Sequence, residues 1–311
     1  MEHRPYGKTG EKTSILGLGG AYLSASSFAD GVATVHKTLD LGVTYFDTSP
    51  MYCRGLSQAV LGEALKDKKD GYLLATKLGY FANPSRYHGP EALQTQFEEN
   101  LRLLRRDYVD TLQLHEADSH HWWSTDPSIK GRLSPEIDYS FNDALALETL
   151  RQLKTEGRCR FIGISGNTEE NMSRVLKHVD VDTFLLAFNY DLIRRGARKA
   201  LPLARKKGCV GMIGAIFARS LAVSQPDLVH SPPNWMTPEL LESYKKIFAL
   251  QAERGMSLAT LGVRYMCGQP EMDTLIIGAK NPAEIEECVR AAQQGPLPDD
   301  LAQQIEKLGI A

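Results

Sequence analysis

Ile15-Leu16-Gly17-Leu18-Gly19-Gly20-Ala21-Tyr22 separates two architectures. An apolar run followed directly by glycines reads as a strand leading into a ligand loop. An open, doubly wound sheet usually carries a Gly-x-Gly-x-x-Gly phosphate loop after its first strand. Here the full spacing is missing: Gly17 and Gly19 fit it, and Tyr22 stands where the third glycine belongs. That tilts the reading towards a closed parallel barrel.

Working outward, apolar runs recur at residues 15–19, 43–46, 72–76, 109–114, 161–164, 183–188, 210–216 and 274–277. Most are continuous rather than alternating, as strands buried on both faces should be. Helical patterns fill the intervals. Leu93, Phe97, Leu101 and Leu104 step by about one turn, as do Leu241, Tyr244 and Phe248. Leu147, Leu150 and Lys154 mark another helix with Gly157 as its stop. Asn281-Pro282-Ala283-Glu284 reads as a helix start, with Asn as N-cap and Pro in the first turn. Eight strand–helix repeats predict an α/β fold, a (β/α)8 TIM barrel forming a single domain over residues 1–311. Lys8-Thr9-Gly10 predicts an N-terminal hairpin closing the barrel floor. Two long loops, residues 115–139 and 223–237, follow strands and so belong at the C-terminal face, where barrels place their active sites.

Composition narrows the function classes. Of the 311 residues 42% are hydrophobic and 24% charged, enough apolar surface for a core without staples. A formal charge of −2 supplies no field for nucleic acid or an anionic membrane, so Arg194-Arg195 and Arg205-Lys206-Lys207 read as solvated helix faces. Cys53, Cys159, Cys209, Cys267 and Cys288 are odd in number and lack Cys-x-x-Cys spacing, against disulfides and zinc. With no secretion signal or long apolar run, the expected location is cytoplasmic.

The residues suited to chemistry sit at consecutive strand ends. Asp47 ends the second run, Tyr52 follows in the next loop, Lys77 ends the third and His115 the fourth. Successive parallel strands are neighbours, so these ends meet at one rim. Carbonyl reduction needs a proton donor and stabilisation of developing negative charge. A tyrosine can donate, and a nearby ammonium would favour its ionised form, with a carboxylate keeping the ammonium charged. Taken singly, each residue has a plain alternative as a cap, a packing ring or a solvated charge.

At this point the sequence resembles the aldo-keto reductase family. The matching segments are Thr44-Tyr45-Phe46-Asp47-Thr48-Ser49 with Tyr52, Leu56-Ser57, Leu61-Gly62-Glu63-Ala64-Leu65, Thr76-Lys77, Asp107-Tyr108-Val109-Asp110 with Leu114-His115, Phe161-Ile162-Gly163-Ile164-Ser165, and Ile277-Gly278-Ala279. They cover nearly the whole chain in order. The resemblance implies Tyr52 as general acid/base, Lys77 as its pKa-lowering neighbour, Asp47 as partner of Lys77, and His115 as orienter of the carbonyl oxygen. It implies an extended nicotinamide cofactor touching Gly20, Ala21, Ser165, Asn167, Phe217, Ala218, Arg219, Gly278, Lys280, Glu284 and Glu287. Tyr22, Trp122, Trp123 and Trp235 would face a small carbonyl or sugar substrate, and no metal is needed. NADP(H) is slightly favoured over NAD(H): Lys280 suits a 2′-phosphate, while Glu284 would oppose it or complete a capping box with Asn281. Homo-oligomerisation stays open.

Three positions depart from the family pattern. Gly166 follows Ser165 where Asn is usual, with Asn167 one residue late. Leu185 replaces a Gln, and Gly214 stands where a Tyr usually stacks on the nicotinamide. Asn167 or Phe217 would compensate. These departures also resemble the sugar-oxidising, galactose dehydrogenase-like branch. Two rival readings stand beside the first: a cofactor-sensing regulatory subunit, and a lyase or hydrolase with a Schiff-base lysine at Lys77.

Overall fold

A computed structural model describes the chain except residues 80–88, 127, 130, 218–229, 233, 235 and 311. Two short strands, β1 (His3–Pro5) and β2 (Lys12–Ser14), pair antiparallel as the expected hairpin. Eight parallel strands then close into a barrel: β3 (Leu16–Gly19), β4 (Tyr45–Asp47), β5 (Leu73–Leu78), β6 (Val109–Leu114), β7 (Cys159–Gly166), β8 (Thr183–Ala187), β9 (Val210–Gly214) and β10 (Thr274–Gly278), with β10 back beside β3. Every apolar run overlaps its strand, and the strands at Asp47, Leu78, Gly166 and Gly278 run past the apolar stretch. The seventh run overshoots, because Ala215 turns left-handed (φ 59°) directly after β9.

The helices are α1 (Phe28–Asp40), α2 (Leu56–Ala64), α3 (Pro90–Leu104), α4 (Leu145–Thr155), α5 (Glu169–His178), α6 (Ala197–Lys207), α7 (Pro238–Arg254), α8 (Leu258–Cys267), α9 (Pro282–Gln293) and α10 (Asp299–Glu306). Helix α9 starts as the sequence predicts: the Asn281 side chain accepts the Glu284 N–H at 3.0 Å, and Pro282 opens the first turn. The Glu284 carboxylate reaches the N–H of Lys280 at 2.8 Å, one residue before the capping-box position. In α7 the buried stripe is Leu240, Tyr244, Ile247 and Leu250; Leu241 and Phe248 lie at its margin.

Two apolar clusters follow from strands buried on both faces. The larger fills the space between sheet and helices. The smaller, with Tyr6, Tyr45, Leu73, Ala75, Phe161, Leu185, Val210, Met212 and Ile276, fills the barrel itself. Tyr6, fully buried, comes from the hairpin turn and plugs the floor, its hydroxyl 2.8 Å from Thr111 Oγ1. That leaves the opposite end for a site.

Arg194 and Arg195 are not a solvated helix face. Arg194 pairs with Asp191 at 2.9 Å, and the buried Arg195 donates to the carbonyls of Asp191, Leu192 and Ile305, pinning the C-terminal helix. No helix among the described residues is long and apolar enough to cross a membrane.

Candidate active site

The barrel register sets the site. Asp47 pairs with Ala75, and Lys77 lies two residues further along β5 on the same inward face. Lys77 in turn pairs with Gln113, and His115 lies two residues beyond it. Period-two alternation therefore places Asp47, Lys77 and His115 on one rising diagonal inside the C-terminal mouth.

Tyr52 reaches the same point from the loop after β4. Its N–H bonds the Ser49 carbonyl at 3.1 Å. Cys53 (φ 50°), Arg54 (φ 57°) and Gly55 (φ 87°) then take left-handed conformations in succession. Such a run is costly for residues with a Cβ. It reverses the chain into α2 and holds the Tyr52 ring over the mouth.

Lys77 is fully buried, and its ammonium donates to Asp47 Oδ1 and, at 2.9 Å, to the Thr48 carbonyl. It lies 4.9 Å from the centre of the Tyr52 ring. The His115 ring stands edge-on to Tyr52, centres 5.5 Å apart and planes at 89°. Burial alone would discharge Lys77, but Asp47 and Tyr52 more than offset it, so the ammonium stays protonated. Burial pushes the Tyr52 phenol up further than Lys77 pulls it down, so the expected lowering is reversed in balance and Tyr52 is held protonated. Burial, with Lys77 and Arg132 adding, takes His115 well below the usual imidazole range, leaving it neutral.

Surrounding groups missed by sequence reading hold the end of β5 and the His115 ring. Asn100 of α3 donates to the Lys77 carbonyl at 2.9 Å, and Gln96 accepts the Gly79 N–H at 2.6 Å. Gln58 of α2 donates to Thr76 at 2.9 Å. Ser49 Oγ lies 2.9 Å from His115 Nδ1. Polar residues on inward helix faces were the available signal; their partners were not legible.

The remaining expected residues scatter more widely. Ser165 donates to the Leu114 carbonyl at 3.0 Å. Asn167 gives its amide to Glu116 at 3.0 Å and its carbonyl to Asn189 at 2.8 Å, so these groups already have partners. Glu116 and Asp118 are bound in turn by Arg132, at 3.1 and 2.7 Å. A Cβ at Gly214 would meet Ile276 at 3.9 Å, ordinary van der Waals contact, so a small side chain there would not clash. Phe217 packs towards Gly262 of α8, 3.1 Å from where a Cβ there would lie, among the outer hydrophobic layer. Trp122 and Trp123 are buried, and their indole N–H groups bond the carbonyls of His115 (2.8 Å) and Ala117 (2.6 Å). Trp123 packs edge-on against Phe141 at 5.1 Å. The loop is thus folded on its own aromatics, with Trp122 buttressing His115 from behind.

Gly20, Ala21 and Tyr22 form a short turn after β3, with Tyr22 exposed. A Cβ at Gly278 would lie 3.0 Å from the Tyr22 ring, and Lys280 Nζ stands 5.9 Å from its centre. Glu287 accepts a hydrogen bond from Ser257. Ala218, Arg219 and Trp235 lie outside the described residues.

One feature suits a polyhydroxylated cofactor at this mouth. Asp47 Oδ2 is buried with no hydrogen-bond partner among the described residues, an acceptor waiting for a hydroxyl.

The family model of the aldo/keto reductases matches residues 15–310. L-galactose dehydrogenase of Arabidopsis thaliana is 30% identical, over 94% of this chain and 89% of its own length. D-threo-aldose 1-dehydrogenase of a Pseudomonas species is 24% identical, over 87% of this chain and 86% of its own. Among solved structures, an aldo-keto reductase of Bacillus halodurans in its holo form superposes with a TM-score of 0.77 at 24% identity, covering 100% of this chain and 97% of that one. These likenesses agree with the closed barrel and N-terminal hairpin described above.

Proposed function

Because this chain belongs to the aldo/keto reductase family of oxidoreductases, we propose that it transfers hydride between a nicotinamide cofactor and the carbonyl or alcohol carbon of an aldehyde, ketone or aldose, within one domain spanning residues 1–311. The observation that carries the reading is the buried Lys77 ammonium, paired with Asp47 and 4.9 Å from the centre of the Tyr52 ring, with neutral His115 edge-on to that ring.

Bound nicotinamide supplies or accepts the hydride; the chain supplies everything else. Tyr52 is the proton donor in reduction: burial keeps it protonated, and Lys77 stabilises the phenolate as the proton leaves. Asp47 keeps Lys77 charged through that step. His115, uncharged, donates a hydrogen bond to the carbonyl oxygen and orients it. In oxidation the phenolate form of Tyr52 receives the alcohol proton, so that direction gains from rising pH.

The dehydrogenase relatives favour a second, narrower reading: an aldose oxidised at C1. For the cofactor we favour NADP(H) over NAD(H). Lys280 carries a cation at the start of α9, where helix N–H groups also attract anions. The Glu284 carboxylate is drawn back onto the Lys280 N–H and the Asn281 amide, which spends part of its charge on the helix start. A shallow cleft runs along α9 from Ala283 to Gln294, away from the reacting groups, and carries Glu286 and Glu287 beside Arg290. The five cysteines form no disulfide, which supports a reducing, cytoplasmic setting.

The test is titration with NADH and NADPH followed by an aldehyde and sugar panel, run on the natural chain and on Tyr52→Phe. The variant should bind cofactor as before and lose turnover by roughly a thousandfold or more. Full activity would remove Tyr52 from the mechanism. Lys280→Met should weaken NADPH by about tenfold and leave NADH unchanged; equal loss for both would exclude a 2′-phosphate contact.

A further inference from the structure

We propose that Ser49 is a positioning residue that sets the tautomer of His115, so that the imidazole offers Nε2–H to the reacting oxygen. The proposal rests on the oxidoreductase reading above for its consequence, though not for its structural content.

Ser49 is fully buried, and its Oγ lies 2.9 Å from His115 Nδ1. The same oxygen accepts the Met51 N–H at 3.2 Å. A buried hydroxyl still needs an acceptor for its own hydrogen. Among the described residues Nδ1 is the acceptor in reach, so Ser49 donates and Nδ1 accepts.

A neutral imidazole has one N–H. With Nδ1 accepting, the proton sits on Nε2, on the far side of the ring from Ser49. Doubly protonated imidazolium is disfavoured by burial and by the cations Lys77 and Arg132. Tyr52 stands edge-on to the ring, and Glu116 follows His115 directly in the chain. The wrong tautomer would present a lone pair to the carbonyl oxygen and repel it.

Ser49 also acts on the proton donor. Its carbonyl accepts the Tyr52 N–H at 3.1 Å, so one residue ties the backbone of the donor and the ring of the orienter to the same loop. Its side-chain contact is the part that the proposal concerns, and it can be removed without touching the carbonyl.

The experiment uses the full chain labelled with ¹⁵N-histidine, without cofactor. Long-range proton–nitrogen spectra distinguish the two ring nitrogens, and His115→Gln identifies the signal among the eight histidines. The natural chain should show His115 protonated on Nε2. Ser49→Ala should populate the other tautomer and lower kcat for reduction by about tenfold, the effect of one lost hydrogen bond of good geometry. KM should change by less than about threefold, and cofactor affinity not at all. Ser49→Thr, which keeps the hydroxyl, should recover both the tautomer and most of kcat.

A proton on Nδ1 in the natural chain overturns the proposal without any variant. So does Ser49→Ala if only one of tautomer and kcat changes, or neither. If the natural chain turns over no aldehyde or sugar with either cofactor, the oxidoreductase reading fails instead. The spectra still decide whether Ser49 holds His115.

Discussion

Lys77 keeps a positive charge where water does not reach, and Asp47 is the reason. Removing one member of such a pair strands the other, at a cost of about 3–5 kcal/mol. Asp47→Asn and Lys77→Met should each lower unfolding stability by that order in urea titration. The double variant should recover most of the loss, because a neutral amide beside a thioether leaves no buried charge. Turnover should not return with it. Recovery of both would mean that the pair serves packing alone. The pH profile follows from the same residues. Tyr52 sits above its ordinary value, so the donor form is complete between about pH 6 and 9. His115 sits below its own, so it contributes no acid limb there. Reduction should stay level over that window, and oxidation should climb.

Helices α2 and α3 do more than cover the sheet: they deliver Gln58, Gln96 and Asn100 to the end of β5. Their spacing depends on Gly62. A Cβ there would lie 2.2 Å from the Leu103 carbonyl oxygen and 2.9 Å from the Leu104 carbonyl carbon. Both are backbone, which cannot rotate away. Gly62→Ala should cost about 2–3 kcal/mol by pushing the helices apart. Because α3 holds the Lys77 carbonyl, kcat should fall further than KM rises. Unchanged stability would show that the two helices separate freely. The loop after β4 works the other way, spending left-handed backbone at Cys53 and Arg54 to aim Tyr52.

At the scale of the molecule, stability and chemistry occupy opposite ends of the barrel. Tyr6 closes the floor with its ring against Tyr45 and Phe161, centres 5.8 and 5.5 Å away. Tyr6→Ala should open a cavity and cost about 3–5 kcal/mol. Tyr6→Phe loses the bond to Thr111 and should cost about 1 kcal/mol. In both variants the protein that remains folded should keep its kcat/KM, since the floor lies a barrel length from Tyr52. A matched loss of kcat/KM would show that floor packing reaches the mouth.

The strands were legible in the chain because burial on both faces makes each a continuous apolar run, and eight such runs with intervening helical periods admit few closures. Asp47, Lys77 and His115 were legible for a related reason: strand ends of consecutive parallel strands must gather at one rim. The contact between Ser49 and His115, the sinking of Trp122 and Trp123 into their own loop, and the placing of Phe217 against Gly262 were decided only by the tertiary structure. So was the balance at Tyr52, where burial outweighs a neighbouring ammonium. Each depends on where side chains from separate elements point and on how much water they exclude. Periodicity along one element carries neither quantity.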